Sequence, residues 1–141
     1  MAAIVTLEVT TPKGLVLHTE AEMVQANSVK GELGVLPGHL PLLAALKCGL
    51  VTWKVGSEQH IACMGPGFVE VEPDRVNVLT DLFAMPDQVD VEATKQELAD
   101  AEKALHGFGE RYEGAEYEEL QRDVDWARAK LDCVEAADKQ R

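Results

Sequence analysis

Cysteine is scarce in this sequence. Cys48, Cys63 and Cys133 form an odd set with no CxxC spacing, so neither a paired-thiol redox motif nor a cysteine-built zinc site is written into it. Buried, reduced thiols in a reducing compartment are the expectation. Positive charge is also short: 13 Lys and Arg stand against 25 Asp and Glu, a formal net charge of −12. Nucleic acid and anionic membranes would repel such a chain, which argues against binding either in general. No apolar run approaches the roughly 20 residues needed to cross a bilayer. The start, Met1-Ala2-Ala3-Ile4-Val5-Thr6-Leu7-Glu8, lacks both the basic, apolar make-up of a secretion signal and the arginines of a transit peptide. A soluble, cytoplasmic protein that reaches membranes only through partners is expected.

Catalytic patterns are missing too. His18, His39, His60 and His106 are scattered singly, without the i, i+4 pairing of a zinc enzyme. His39 with Glu32 or Cys48 is the nearest approach to a metal or nucleophile pair, and two unlinked residues make a poor case for an enzyme. The glycine-rich stretch around Gly34 and Gly38 continues with His39-Leu40 instead of Lys and Ser/Thr, so it is no Walker-type phosphate cradle. No catalytic residue, metal or cofactor is assigned.

What is present divides the chain in two. Up to about Leu79, short segments rich in β-branched residues (4–10, 15–18, 23–26, 50–55, 60–64, 68–71 and 75–79) alternate with turn residues such as Pro12-Lys13-Gly14, Gly56-Ser57, Gly65-Pro66-Gly67 and Pro73-Asp74. That spacing predicts an antiparallel β-sandwich over residues 1–86. After Met85-Pro86-Asp87 the composition turns to Ala, Glu, Lys and Leu. Pro86 disfavours helix before it, and Asp87 or Asp90 suits a helix cap. Val91, Thr94, Leu98, Ala101, Leu105 and Phe108 repeat at 3–4 spacing, as do Tyr117, Leu120, Val124, Ala127, Leu131 and Val134. Two such seams, separated by Gly107, Gly109 and Gly114, predict an antiparallel helical hairpin over 87–141. One narrow seam buries little, so the hairpin is expected to need a docking surface on the sandwich or on another subunit. Residues 1–86 carry a net −4 and residues 87–141 a net −8, yet the second helix gathers Arg122, Arg128, Lys130, Lys139 and Arg141 as a candidate basic contact site. Trp53 reads as core, and Trp126 lies one residue outside its seam.

The densest motif is Gly31-Glu32-Leu33-Gly34-Val35-Leu36-Pro37-Gly38-His39-Leu40-Pro41-Leu42-Leu43. Its glycines and prolines read as a loop, Pro37-Gly38 suits the centre of a type II turn, and its leucines are too apolar for a freely solvated loop. A packed or partner-facing surface is expected. This segment resembles the signature of the epsilon subunit of F-type ATP synthases, Gly-Glu-aliphatic-Gly-aliphatic-x-Pro-Gly-His-x-Pro-Leu-Leu. Gly65-Pro66-Gly67-Phe68-Val69-Glu70-Val71 is similar to that family's Gly-Gly-x-x-Glu-Val strand start, and Arg75-Val76-Asn77-Val78-Leu79-Thr80-Asp81 to its Val-x-Val-Leu-x-Asp strand.

The resemblance implies a bacterial-type, non-catalytic rotor subunit: a sandwich of about ten strands and a C-terminal helical hairpin, peripheral on the cytoplasmic face of the plasma membrane. Its implied partners are the gamma subunit, the ring of c subunits, and the alpha and beta subunits. Gly31, Glu32 and Gly34, with His39 nearby, match the segment that meets the ring and gamma. The hairpin in this family lies against the sandwich or extends toward beta, where it restrains ATP hydrolysis; Arg122, Arg128 and Lys130 are the matching candidates for beta contacts. Some relatives bind ATP through Ile/Leu-Asp-x-x-Arg-Ala. Here Val89-Asp90-Val91-Glu92-Ala93-Thr94 puts Ala93 where the arginine stands, and loss of that guanidinium argues against ATP binding. A nucleotide-binding module and a His39/Cys48 enzyme remain as rival readings.

Overall fold

The computed structural model describes residues 3–108 and 114–140. Gly109, expected between the helices, and Arg141, of the basic set, lie outside the described residues. Among those described there are nine strands: β1 (Val5–Thr11), β2 (Gly14–Ala21), β3 (Met23–Ser28), β4 (Gly31–Val35), β5 (Leu42–Val55), β6 (Glu58–Met64), β7 (Gly67–Glu72), β8 (Arg75–Thr80) and β9 (Phe83–Ala84). Alternation in the sequence becomes alternation in burial. Val5, Leu7 and Val9 of β1, Val69 and Val71 of β7, and Val76 and Val78 of β8 are buried, whereas their chain neighbours on the opposite strand face are not.

The strands pair in the order β2-β1-β8-β7-β5-β3-β4, with β6 joining β5 to β9. Strand β5 serves two layers. Its first part, Leu42 to Leu46, pairs with β7, while Val51 to Lys54 pair with β3 and Gly49 to Val55 with β6. The sheet therefore folds over at the middle of β5, and the layer β2-β1-β8-β7-β5 packs on the layer β4-β3-β5-β6-β9. Inward residues of both layers form one core, with Leu7, Val9, Val71 and Val78 meeting Val24, Val35, Val51, Trp53 and Met64. Trp53 is core, as expected, and stacks on His60 at 5.6 Å between ring centroids. Pairing is antiparallel except for β1 with β8, which run parallel. A parallel pair needs a long crossover, and here the chain between the two strands builds the rest of the sandwich.

After β9 and a 3-10 turn at Pro86–Gln88, helices α1 (Val91–His106) and α2 (Ala115–Lys139) follow. Asp90 caps α1: its Oδ1 accepts from the Ala93 N–H at 3.1 Å, and the Thr94 hydroxyl donates to the Asp90 carbonyl at 2.7 Å. Every residue of the two predicted seams is buried or half-buried, and the seams face each other, closed at one end by Phe108 edge-on to Tyr117 at 6.0 Å. Helix α2 also has a second covered face that the period did not reveal. Ala129 and Cys133, with Trp126, Ala136 and Ala137, pack on Cys48, Leu50, Ile61 and Cys63, the outer side of β5 and β6. The docking surface the hairpin requires is the sandwich of its own chain.

Candidate interaction surfaces

The signature segment is half strand, not loop. Gly31 to Val35 form β4, the edge strand of its layer, paired antiparallel with β3 so that Glu32 opposes Asn27 and Gly34 opposes Gln25. The reason is tertiary: Leu33 and Val35 alternate into the core, which outweighs the low strand preference of Gly31 and Gly34. Glu32 and Gly34 therefore share the outward face and are exposed, as is Gly31 at the start of the strand. Pairing with the β3 edge is anchored by the Ser28 hydroxyl, which donates to the Gly31 carbonyl at 2.7 Å and accepts from the Lys30 N–H at 3.1 Å.

The turn after β4 takes the expected form. Gly38 has φ +83°, and the His39 N–H donates to the Leu36 carbonyl at 3.1 Å, matching a type II turn centred on Pro37-Gly38. The Gly38 N–H donates to the Pro73 carbonyl at 2.8 Å, pinning the turn to the β7–β8 connection. His39 is half-buried, and its Nδ1 is 2.7 Å from the Leu40 carbonyl, a local partner. Four steps of strand, about 13 Å, separate Gly31 from Val35, and His39 lies beyond that far end. The four matched residues thus follow one edge of the sandwich and do not converge on a point.

Beside this edge the surface is conspicuously apolar. Leu40 is 80% exposed, Leu43 71% and Leu36 57%, three large side chains within eight residues on a segment held rigidly at both ends. A second apolar row crosses the outer face of the other layer. There Phe68 pairs with Leu79, Leu79 with Thr10, and Thr10 with Leu15; Phe68, Leu79 and Leu15 are all exposed, and a groove of about 350 Å³ runs beside Thr10, Pro12, Pro66, Phe68 and Leu79. The strand pattern gave no hint of this row, because the residues occupy the positions where alternation places polar side chains. Contiguous exposed apolar surface of this kind marks contact with other proteins.

The cations of α2 are largely engaged. Arg128 bridges to Glu102 at 3.2 Å and Lys130 to Glu97 at 2.9 Å, both on α1, while Lys130 also lies 5.5 Å from the centroid of the Trp126 ring. Arg122 is exposed and has no ion pair among the described residues. The α1 glutamates are functional candidates that sequence reading missed, since their pairing depends on the register between helices. A groove of about 420 Å³ between α1 and α2 is lined by Glu97, Asp100 and Asp123 with Ala101, Ala104, Leu120 and Trp126. Three carboxylates make it an unfavourable place for a phosphate chain.

The residues weighed for chemistry do not assemble into a site. His39 sits in the turn pinned to Pro73, whereas Cys48 lies under α2. Burial, and next the nearby Asp125 carboxylate, push the Cys48 thiol up to about 11, so it remains protonated at neutral pH and is a poor nucleophile. Among the described residues no cluster of three His, Cys, Asp or Glu side chains has metal-binding geometry, and no helix is long and apolar enough to cross a membrane.

Comparison with known proteins agrees with this architecture. Residues 4–85 match the family model described as ATP synthase, Delta/Epsilon chain, beta-sandwich domain. The ATP synthase epsilon chain of Bdellovibrio bacteriovorus is 38% identical over 129 residues, covering 90% of this chain and 91% of the relative. That of Magnetococcus marinus is 35% identical and covers 96% and 97%. Among solved structures, a chain of the Euglena gracilis mitochondrial ATP synthase, resolved with OSCP, F1 and c-ring, superposes with a TM-score of 0.75 at 20% identity over 96% of this chain and 81% of its own, a likeness of fold.

Proposed function

Because this chain belongs to the ATP synthase epsilon-chain family, we propose that it is the non-catalytic central-stalk subunit of an F-type ATP synthase. In this reading it couples rotation of the membrane ring to the catalytic head, and it sits peripherally on the cytoplasmic face of a bacterial plasma membrane. The observation that carries the reading beyond the family is the edge formed by β4 and its following turn. There Gly31, Glu32, Gly34 and His39 lie on backbone pinned at Ser28 and Pro73, beside Leu36, Leu40 and Leu43. A coupling element must transmit torque without yielding, and a turn hydrogen-bonded to a neighbouring connection deforms less than a free loop. The ring and the gamma subunit are the partners assigned to this surface. Co-purification with gamma, alpha and beta from detergent-solubilised source membranes is the direct test, and absence of those subunits under mild conditions overturns the reading.

The exposed leucines provide a sharper one. Changing Leu36 and Leu40 together to Asp leaves thermal stability within about 0.5 kcal/mol, because neither side chain is in the core. It is expected to weaken association with gamma and the ring by at least tenfold, since two apolar contacts become desolvated charges. Association equal to wild type, measured by reconstitution with epsilon-depleted complex, would remove this edge from the interface.

In the same reading the hairpin restrains ATP hydrolysis when it leaves the sandwich and presents Arg122, Arg128 and Lys130 to an acidic segment of beta. Two of these three cations are paired within the hairpin itself, with Glu102 and Glu97 of α1, so engaging beta exchanges intramolecular for intermolecular ion pairs. Exposed pairs are worth at most about 1 kcal/mol each, a small cost for beta to overcome. Replacing all three cations with Ala is expected to raise hydrolysis by the assembled complex severalfold with the sandwich fold unchanged; a rate equal to wild type defeats the latch. ATP itself is not assigned as a ligand. Ala93 lacks the guanidinium, and the inter-helix groove is lined by Glu97, Asp100 and Asp123. Submillimolar ATP binding in calorimetry would reverse that assignment.

A further inference from the structure

All three cysteines of the chain, far apart in sequence, meet in one apolar cluster between the sandwich and α2. Cys63 projects from the outer side of β6 and Cys133 from the second covered face of α2, and both are fully buried. The two residues pack in one buried cluster across this boundary, each contributing its thiol. The bond with Cys133, and next burial, hold the proton on Cys63, while the same bond draws the Cys133 thiol down against its own burial. Cys63 Sγ also lies 3.4 Å from the Ala84 carbonyl, which fixes the thiol to β9. Purely structural packing at this point would be served by Ala or Val. A thiol supplied by each element, facing the other, adds the capacity for a covalent bond.

We propose that Cys63 and Cys133 form a reversible intramolecular disulfide that fastens helix α2 to the sandwich. The oxidant is a low-molecular-weight disulfide. Cys133 is exposed when α2 lifts, and its thiolate attacks the oxidant, releasing one thiolate and leaving a mixed disulfide on Cys133. Redocking brings Cys63 to that sulfur. As Cys63 gives up its proton and attacks, the bond between Cys133 and the small molecule breaks, and the second small thiol departs. Two protein thiols are oxidised and one external disulfide is reduced to two thiols, so atoms and electrons balance. The bond closes a loop of about 70 residues and opposes any excursion of α2 from the docked position. Its consequence for the ATP synthase rests on the proposed role of the hairpin, whereas its formation does not.

The test equilibrates the full chain in oxidised and in reduced glutathione, then maps disulfides by mass spectrometry without reduction and follows amide exchange. Oxidation should give a single crosslinked peptide joining Cys63 and Cys133 and slow exchange in residues 115–139 by about tenfold or more. Cys48→Ser should retain both effects, and Cys133→Ala and Cys63→Ala, each kept near the original packing by a small apolar side chain, should abolish both. Absence of the crosslink in oxidised glutathione, a Cys48–Cys63 bond in its place, or linkage only between molecules would overturn the proposal. In the assembled complex the oxidised chain should hydrolyse ATP faster than the reduced chain. A crosslink that forms with hydrolysis unaltered upholds the disulfide and overturns the hairpin's inhibitory role.

Discussion

Replacing Gly67 with Ala is expected to lower the melting temperature by about 10 °C, corresponding to about 3 kcal/mol. Gly67 opens β7 opposite Thr80 of β8. A Cβ there would overlap the Leu79 carbonyl oxygen and lie 3.0 Å from its carbonyl carbon and 3.1 Å from Thr80 Cα. All three are backbone atoms, so no side-chain rotation relieves the contact. The corner is further fixed by the buried Thr80 hydroxyl, within 3.1–3.2 Å of the Gly65, Pro66 and Leu82 carbonyls and accepting from the Leu82 N–H at 3.3 Å. Moving β8 away to admit a methyl group would break this set. Gly34→Ala is the control, because a Cβ there meets only Met23 Cε at 3.8 Å, and its expected change is within about 0.5 kcal/mol. Thermal unfolding followed by circular dichroism distinguishes the two, and equal melting temperatures would refute the close approach at Gly67.

Ala129→Asp is expected to detach the hairpin while leaving the sandwich folded. Ala129 is 4% exposed and sits among Ile61, Cys63, Ala84 and Cys133, an apolar setting for a carboxylate. Burying that charge costs several kcal/mol, more than a face built of Ala, Cys and half of a Trp contributes. The core between the layers contains no residue of α2 and so survives. Amide exchange should show residues 115–139 losing about 100-fold of their protection while β1 and β8 keep theirs. In the assembled complex a hairpin released in this way should engage beta more readily, so hydrolysis should fall. Retained protection of α2 would mean that the face packed on β5 and β6 does not hold the hairpin.

The hairpin's inner seam was legible because Val91, Leu98, Val124 and Leu131 are large apolar residues repeating at the helical period. The face that docks on the sandwich was not, since Ala129, Cys133, Ala136 and Ala137 are small and raise no hydrophobic signal above their acidic neighbours. Strand β5 was legible only from Leu50 onward. Its first half, Leu42-Leu43-Ala44-Ala45-Leu46, changes partner at the fold between layers and so lacks the simple alternation of a strand with one buried side. Strand β4 was hidden inside the signature, where two glycines outweighed the alternation of Leu33 and Val35. Within the signature, Pro37-Gly38 announced the turn chemically, through a fixed φ followed by a residue free to adopt a positive one. The apolar row of Phe68, Leu79 and Leu15 came from the register alone.

By itself, then, the sequence determined the two-part architecture, the capped inner seam of the hairpin, the type II turn and, through the wording of its signature, the family. These are local or periodic properties, carried by residues close together along the chain. Only the tertiary structure decided that α2 lies on β5 and β6, that Arg128 and Lys130 are held by Glu102 and Glu97, and that Cys63 meets Cys133. Each of these joins residues more than 20 positions apart, and such pairings follow from how the layers and helices pack, which no single segment encodes.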